Sequence, residues 1–127
     1  MSFDWNYYLV IAKKLKTSTD GKPNNNNNEA LRRTAISRAY YAMYHFAVSY
    51  AENNLGYQKP AKDYHPHIRS HYKKQMASPN CQEVGKILFQ LHKARVDCDY
   101  KSDGIGNVES LLTSSILQAD KIKSFLR

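Results

Sequence analysis

Residues 29–53 read EALRRTAISRAYYAMYHFAVSYAEN. Leu31, Ala35, Ala39, Tyr40, Ala42, Met43, Phe46, Ala47, Tyr50 and Ala51 recur at helical spacing and leave almost no side of the segment polar. A helix that is apolar nearly all round must be covered on most sides, so this segment is expected to be the central element of the fold. Asn53, Asn54 and Gly56 supply its stop, because asparagine and glycine accept the left-handed turn that closes a helix.

The flanking segments carry the same period of 3.6 residues. A first helix is expected over about 3–16, with Trp5, Tyr8, Leu9, Ala12 and Leu15 as its apolar stripe and Lys13, Lys14 and Lys16 at the negative end of its dipole. Residues 17–28 hold Gly21, Pro23 and five consecutive asparagines, which compete with the helix for backbone hydrogen bonds, and so predict a flexible asparagine-rich loop. A short helix is expected over 66–77, capped by Asp63 or His65 and stopped by Ser78, Pro79 and Asn80. A fourth over 82–98 lines up Val84, Ile87, Leu88, Leu91, Ala94 and Cys98, and a fifth over 108–126 lines up Val108, Leu111, Leu112, Ser115, Ala119, Ile122 and Leu126. Residues 101–107, with Gly104 and Gly106, form the loop between them. No stretch alternates with period 2, and no repeat is visible. The chain therefore reads as a single all-α domain over 1–127, a bundle of four to five helices.

The 127 residues leave room for one domain, which can bury roughly two-thirds of its unfolded surface. Nineteen Lys and Arg stand against eleven Asp and Glu, a net charge of +8, which attracts polyanions such as nucleic acid, a nucleotide or an acidic protein. Cys81 and Cys98 fall on one expected helix roughly 25 Å apart at 1.5 Å per residue, too far to pair, which fits a reducing compartment. The N-terminus MSFDWNYYLV lacks a basic region followed by an apolar run, and no apolar stretch approaches a bilayer's thickness. A cytoplasmic protein is expected, or a nuclear one in a eukaryote.

Two groups of residues invite chemistry. Arg95 lies four residues after Leu91 and seven after Leu88, on the apolar stripe of the fourth helix. A guanidinium there must be paired, with Asp97 or Asp99 in reach, or must face a groove that holds an anion. Arg38 and His45 are seven residues apart, close to two turns, so they share one side of the central helix and can reach one phosphate if that side lines a cleft. A satisfied, purely structural histidine is the competing reading. His67 and His71 have the i, i+4 spacing of a ligand pair with His65 nearby, but no HExxH and no cysteine pair supports zinc, so no metal and no cofactor are expected. Glycine-rich phosphate loops and GxSxG are also missing.

The string Ser37-Arg38-Ala39-Tyr40-Tyr41-Ala42-Met43-Tyr44-His45-Phe46-Ala47, followed by Leu91-His92-Lys93-Ala94-Arg95-Val96-Asp97-Cys98-Asp99-Tyr100, resembles the HEPN superfamily. It is most similar to the branch with the signatures AYYAMFHAA and R-x-x-x-D-Y, over about residues 30–126. The resemblance implies an up-and-down helical bundle that forms a homodimer. It implies an action on RNA, as a metal-independent endoribonuclease or RNA-binding component of a toxin–antitoxin or anti-phage system. The alternative it implies is a non-catalytic module that binds a nucleotide or partners a nucleotidyltransferase, an antitoxin or another acidic protein. Under the first, Arg95 and Arg38 hold phosphate, His45 moves a proton, Asp99 orients Arg95, and Tyr100 shapes a pocket at the dimer seam. Catalytic members carry a histidine four to six residues beyond the late-helix arginine, whereas here Asp99 and Tyr100 follow Arg95.

Overall fold

A computed structural model describes residues 2–62 and 65–127. They form five helices and no strand: α1 (Asn6–Thr19), α2 (Asn26–Asn54), α3 (His65–Lys73), α4 (Pro79–Tyr100) and α5 (Val108–Phe125). No described helix is long and apolar enough to cross a membrane. As its composition demands, α2 is central and packs against all four others. Ala35, Ile36, Ala39, Tyr40, Met43, Ala47 and Ala51 disappear into the core, where they meet Leu9 and Ala12 of α1, Leu88 and Leu91 of α4, and Leu112 and Ile122 of α5.

Cross-helix contacts fix the directions. Lys13 pairs with Asp120 at 2.9 Å, and Gly21 N donates to Glu109 Oε2, so α1 and α5 are antiparallel. Arg33 reaches Cys98 O at the N-terminal end of α2, while Tyr40 meets His92, so α2 and α4 are antiparallel. The four long helices thus alternate in direction. The short α3 does not join that alternation. Tyr40 contacts His65 and Tyr72 donates to Ala47 O at 2.6 Å, the same offset of 25 residues, so α3 runs parallel to α2. Residues 55–57 therefore run back alongside α3. His71 Nε2 donates to Leu55 O at 2.9 Å, and the Tyr57 hydroxyl lies 3.0 Å from His67 Nδ1.

Residues 17–28 are not one flexible loop. The α1 helix continues to Thr19, helped by hydroxyls that bond back into it: Thr17 to Lys13 O, Ser18 to Leu15 O and Thr19 to Leu15 O. The asparagine run starts α2 rather than preceding it. The Asn25 side chain accepts from Asn28 N at 2.8 Å as an N-cap, Asn28 Nδ2 donates to Pro23 O, and Glu29 sits in the positive first turn. The connection left is 20–25, and Arg32 spans it. Fully buried, Arg32 donates through Nη2 to Thr19 O, Lys22 O and Glu109 Oε2, at 2.8 to 2.9 Å, tying three elements at one end of the bundle.

The other helix ends follow local chemistry. Ser78 caps α4 by accepting from Cys81 N, and Pro79 at the first position needs no donor. Asn107 caps α5 by accepting from Ser110 N. His65 is the first residue of α3, not a cap before Pro66, and the helix ends at Lys73 instead of residue 77; Asp63 lies outside the described residues. Trp5 also departs from expectation. It precedes the first turn of α1 and stays a third exposed instead of joining the core stripe. Cys81 and Cys98 are both buried on α4, unpaired, and burial pushes the Cys98 thiol up to about 11.

Candidate functional site

Three helices bring arginines, histidines and tyrosines together around Arg95. Arg95 projects from the stripe of α4 as its spacing requires and is 8% exposed. Its guanidinium lies 5.3 Å from the Tyr41 ring centre and 5.7 Å from that of Tyr40, both on α2. Asp99 is its ionic partner, but Nη1 and Oδ2 are 3.4 Å apart, longer than the usual charge-assisted bond, and the Asp99 side chain is 35% exposed. Arg95 Nε is buried with no hydrogen-bond partner among the described residues. Asp97, the other expected partner, is instead bonded by Lys93 at 3.2 Å and Lys101 at 3.4 Å; the Lys93 bond first, and the Lys101 bond after it, holds its carboxyl below the usual range.

His92 stands three residues before Arg95, on the same side of α4, and faces His65 at the start of α3. The two imidazoles are stacked, with ring centres 5.0 Å apart and planes 29° from parallel. The Tyr40 hydroxyl and His65 Nδ1 share a hydrogen bond, and the Tyr44 ring lies 4.7 Å from His65. Arg69, one turn further along α3, rests over Phe89, and its Nη1 is also buried without a partner among the described residues. Two guanidinium groups whose charges reach His92 thus each keep a buried N–H without a partner among the described residues. Burial, then the charges of Arg69, His65 and Arg95, lowers the His92 pKa to about 4, so its imidazole is neutral at pH 7.

Arg38 and His45 do share a side of α2, and that side faces the start of α1. The Arg38 guanidinium lies 4.8 Å over the Tyr8 ring. His45 is stacked on Trp5, ring centres 3.7 Å apart and planes 13° from parallel. Burial first, then Lys59 and His65, lowers the His45 pKa to about 4. Tyr41, between Arg38 and His45 on this stripe, is the residue against which Arg95 rests, so the two expected groups adjoin. Tyr100 does not join them: at the end of α4 it is 76% exposed.

The spacing of single helices left His65, Arg69 and His92 unassigned. For His92 a signal was present, since it is three residues from Arg95. His65 and Arg69 reach the cluster only because α3 is laid parallel to α2. His67 and His71 are occupied by Tyr57 and Leu55 O, and no group of three or more metal-ligating side chains occurs among the described residues. No family model matches the chain, nor does any curated protein or solved structure.

Proposed function

We propose that this chain is an RNA-directed domain of the HEPN type, and that the cluster of Arg95, Arg69, His92 and His65 engages a phosphodiester. The carrying observation is the pair of arginines with buried, unpartnered N–H groups beside two stacked histidines. A buried donor without a partner costs about 1–3 kcal/mol, which an anionic oxygen relieves once the side chain turns outward to meet it. A net charge of +8 brings a polyanion to this surface.

The chemistry that fits is attack of a ribose 2′-oxygen on the adjacent phosphorus. Neutral His92 accepts the 2′-hydroxyl proton, the bond to the 5′-oxygen breaks, and that oxygen takes a proton from His65 or water. Arg95 and Arg69 stabilise the charge that develops on the phosphoryl oxygens. His92, three residues from Arg95 on the same side of α4, takes the part of the base in place of His45, which faces the start of α1. No step needs a metal. In this reading the chain works as a homodimer in the cytoplasm, in a defence or toxin–antitoxin setting.

The test is labelled single-stranded RNA incubated with the protein in EDTA. Cleavage to 2′,3′-cyclic phosphate ends, lost in His92→Gln and Arg95→Ala, is the expected result. RNA that is bound but never cut favours the non-catalytic module, for which the Arg95–Asp99 contact is the supporting observation. In that case a nucleotidyltransferase or another acidic protein is the partner to seek. Absence of binding at low salt overturns the proposal.

A further inference from the structure

The only tryptophan of the chain is not in the core. Burying an indole is among the larger single contributions a side chain makes to a small core, so its place at the surface calls for an account. Trp5 is 37% exposed and its neighbour Phe3 is 54% exposed. The two rings meet edge to face at 5.0 Å, and Tyr8 closes the group at 5.3 Å from Trp5. Beneath Trp5 lies His45 in parallel contact. Ring contacts then continue inward from His45 to Tyr44 at 5.1 Å and from Tyr44 to His65 at 4.7 Å, so the surface aromatics and the arginine–histidine cluster form one connected strip. Cations flank it: Arg38 rests on Tyr8, and the Lys59 charge is felt at His45.

We infer that Trp5, backed by His45 and flanked by Phe3, is a stacking platform for a nucleobase of single-stranded RNA next to the phosphate held at Arg95. This rests on the reading given under Proposed function and extends it, since it selects single strands over duplexes. A duplex keeps its bases stacked on one another and offers the platform nothing, whereas an unpaired base brings a free π-face. The parallel Trp5–His45 pair is already a two-layer stack, to which a base adds a third layer on the exposed part of the indole. Arg38, Lys59 and Arg95 supply the sequence-independent attraction to the backbone, and the ring supplies the preference for an unpaired base.

Because Trp5 is the sole tryptophan, its emission reports on the site directly. The protein is titrated with an unpaired oligonucleotide of about ten nucleotides, with the duplex of the same sequence, and with inorganic phosphate. Binding is followed independently by fluorescence anisotropy of a label on the RNA. Emission is expected to be quenched by the single strand and unchanged by phosphate, with the duplex giving little change. Trp5→Ala should weaken single-strand binding about tenfold or more, and Trp5→Phe should restore most of it. A thermal melt of both variants separates lost stacking from lost folding. Single-strand binding that depends on Arg95, with unchanged Trp5 emission and full affinity in Trp5→Ala, overturns this inference and leaves the phosphate site standing. Binding that fails for wild type at low salt overturns both. A change in Trp5 emission on dilution of the protein alone means that a second copy covers the platform, and also overturns it.

Discussion

Arg95 carries two competing explanations, structural partner of Asp99 or holder of a phosphate, and the geometry weighs them unequally. The pair is long at 3.4 Å, and Asp99 keeps access to water, so removing Arg95 does not strand a buried carboxylate. With Asp99 screened by water the ion pair itself contributes little, while the buried Arg95 side chain also packs on Tyr40 and Tyr41. Arg95→Ala is therefore expected to cost about 1–2 kcal/mol, from the lost contacts with Tyr40 and Tyr41 and partly offset by removal of a buried unpartnered N–H, and to abolish RNA binding. A melt together with a binding assay checks both; a large fall in melting temperature with binding intact assigns Arg95 to the fold alone. The histidines give a pH prediction. His45 and His92 titrate near 4 in the folded chain and near their ordinary 6.5 unfolded, so between those values the unfolded state binds more protons. Stability is thus fully present above about 6.5 and declines as pH falls toward 4. Melting temperatures across that window should show the decline, and His92→Phe should reduce it, leaving the share that belongs to His45.

At the scale of elements, the site depends on how α3 is held. Gly85 of α4 is where the two helices touch. A Cβ there would lie 2.9 Å from Lys73 Cγ and 3.2 Å from Arg69 O. Alanine gains helix propensity while pressing on a backbone oxygen; valine gains less propensity and adds more bulk. Gly85→Val is expected to cost about 1–3 kcal/mol by overpacking and to push Arg69 away from His92. Chemical denaturation gives the first effect and RNA affinity the second. Stability lost without any change in affinity would separate Arg69 from the site. Tyr72, whose hydroxyl bonds Ala47 O inside the core, is the second tie on α3, and burial pushes its phenol far above the ordinary value.

For the whole molecule, the apolar stripe of α4 is consumed within the chain: Val84, Ile87, Leu88, Leu91, Ala94 and Cys98 are all buried against neighbouring helices. The stripe itself is therefore not what a second copy would cover. Large apolar side chains stay exposed outside that stripe, at Tyr7, Val10 and Ile11 on α1, Phe89 and Tyr100 on α4, and Leu117 on α5. Under the proposed reading two copies pair their Arg95 sites, and light scattering at micromolar concentration should then return twice the mass of 14.7 kDa. A monomer at every concentration removes the two-copy cleft from the proposal.

How much was legible follows from what is local. Amphipathic spacing lies within a single stretch of chain, so the sequence determined the five helices, the central place of α2, the inward projection of Arg95 and the shared side of Arg38 and His45. The asparagine run misled because an asparagine stabilises either a loop or a helix cap, and only the position of Pro23 and Glu29 around it decides which. The direction of α3 was not legible, because it is set by a return segment whose hydrogen bonds run to His67 and His71 rather than by any period within α3. That direction is what places His65 and Arg69 beside His92 and Arg95. Trp5 read as core because its spacing fits the stripe of α1, yet the helix starts one residue after it and the indole turns to His45 instead. Local periodicity dictates which faces are buried; only packing between segments distant in the chain decides which charged and aromatic groups meet.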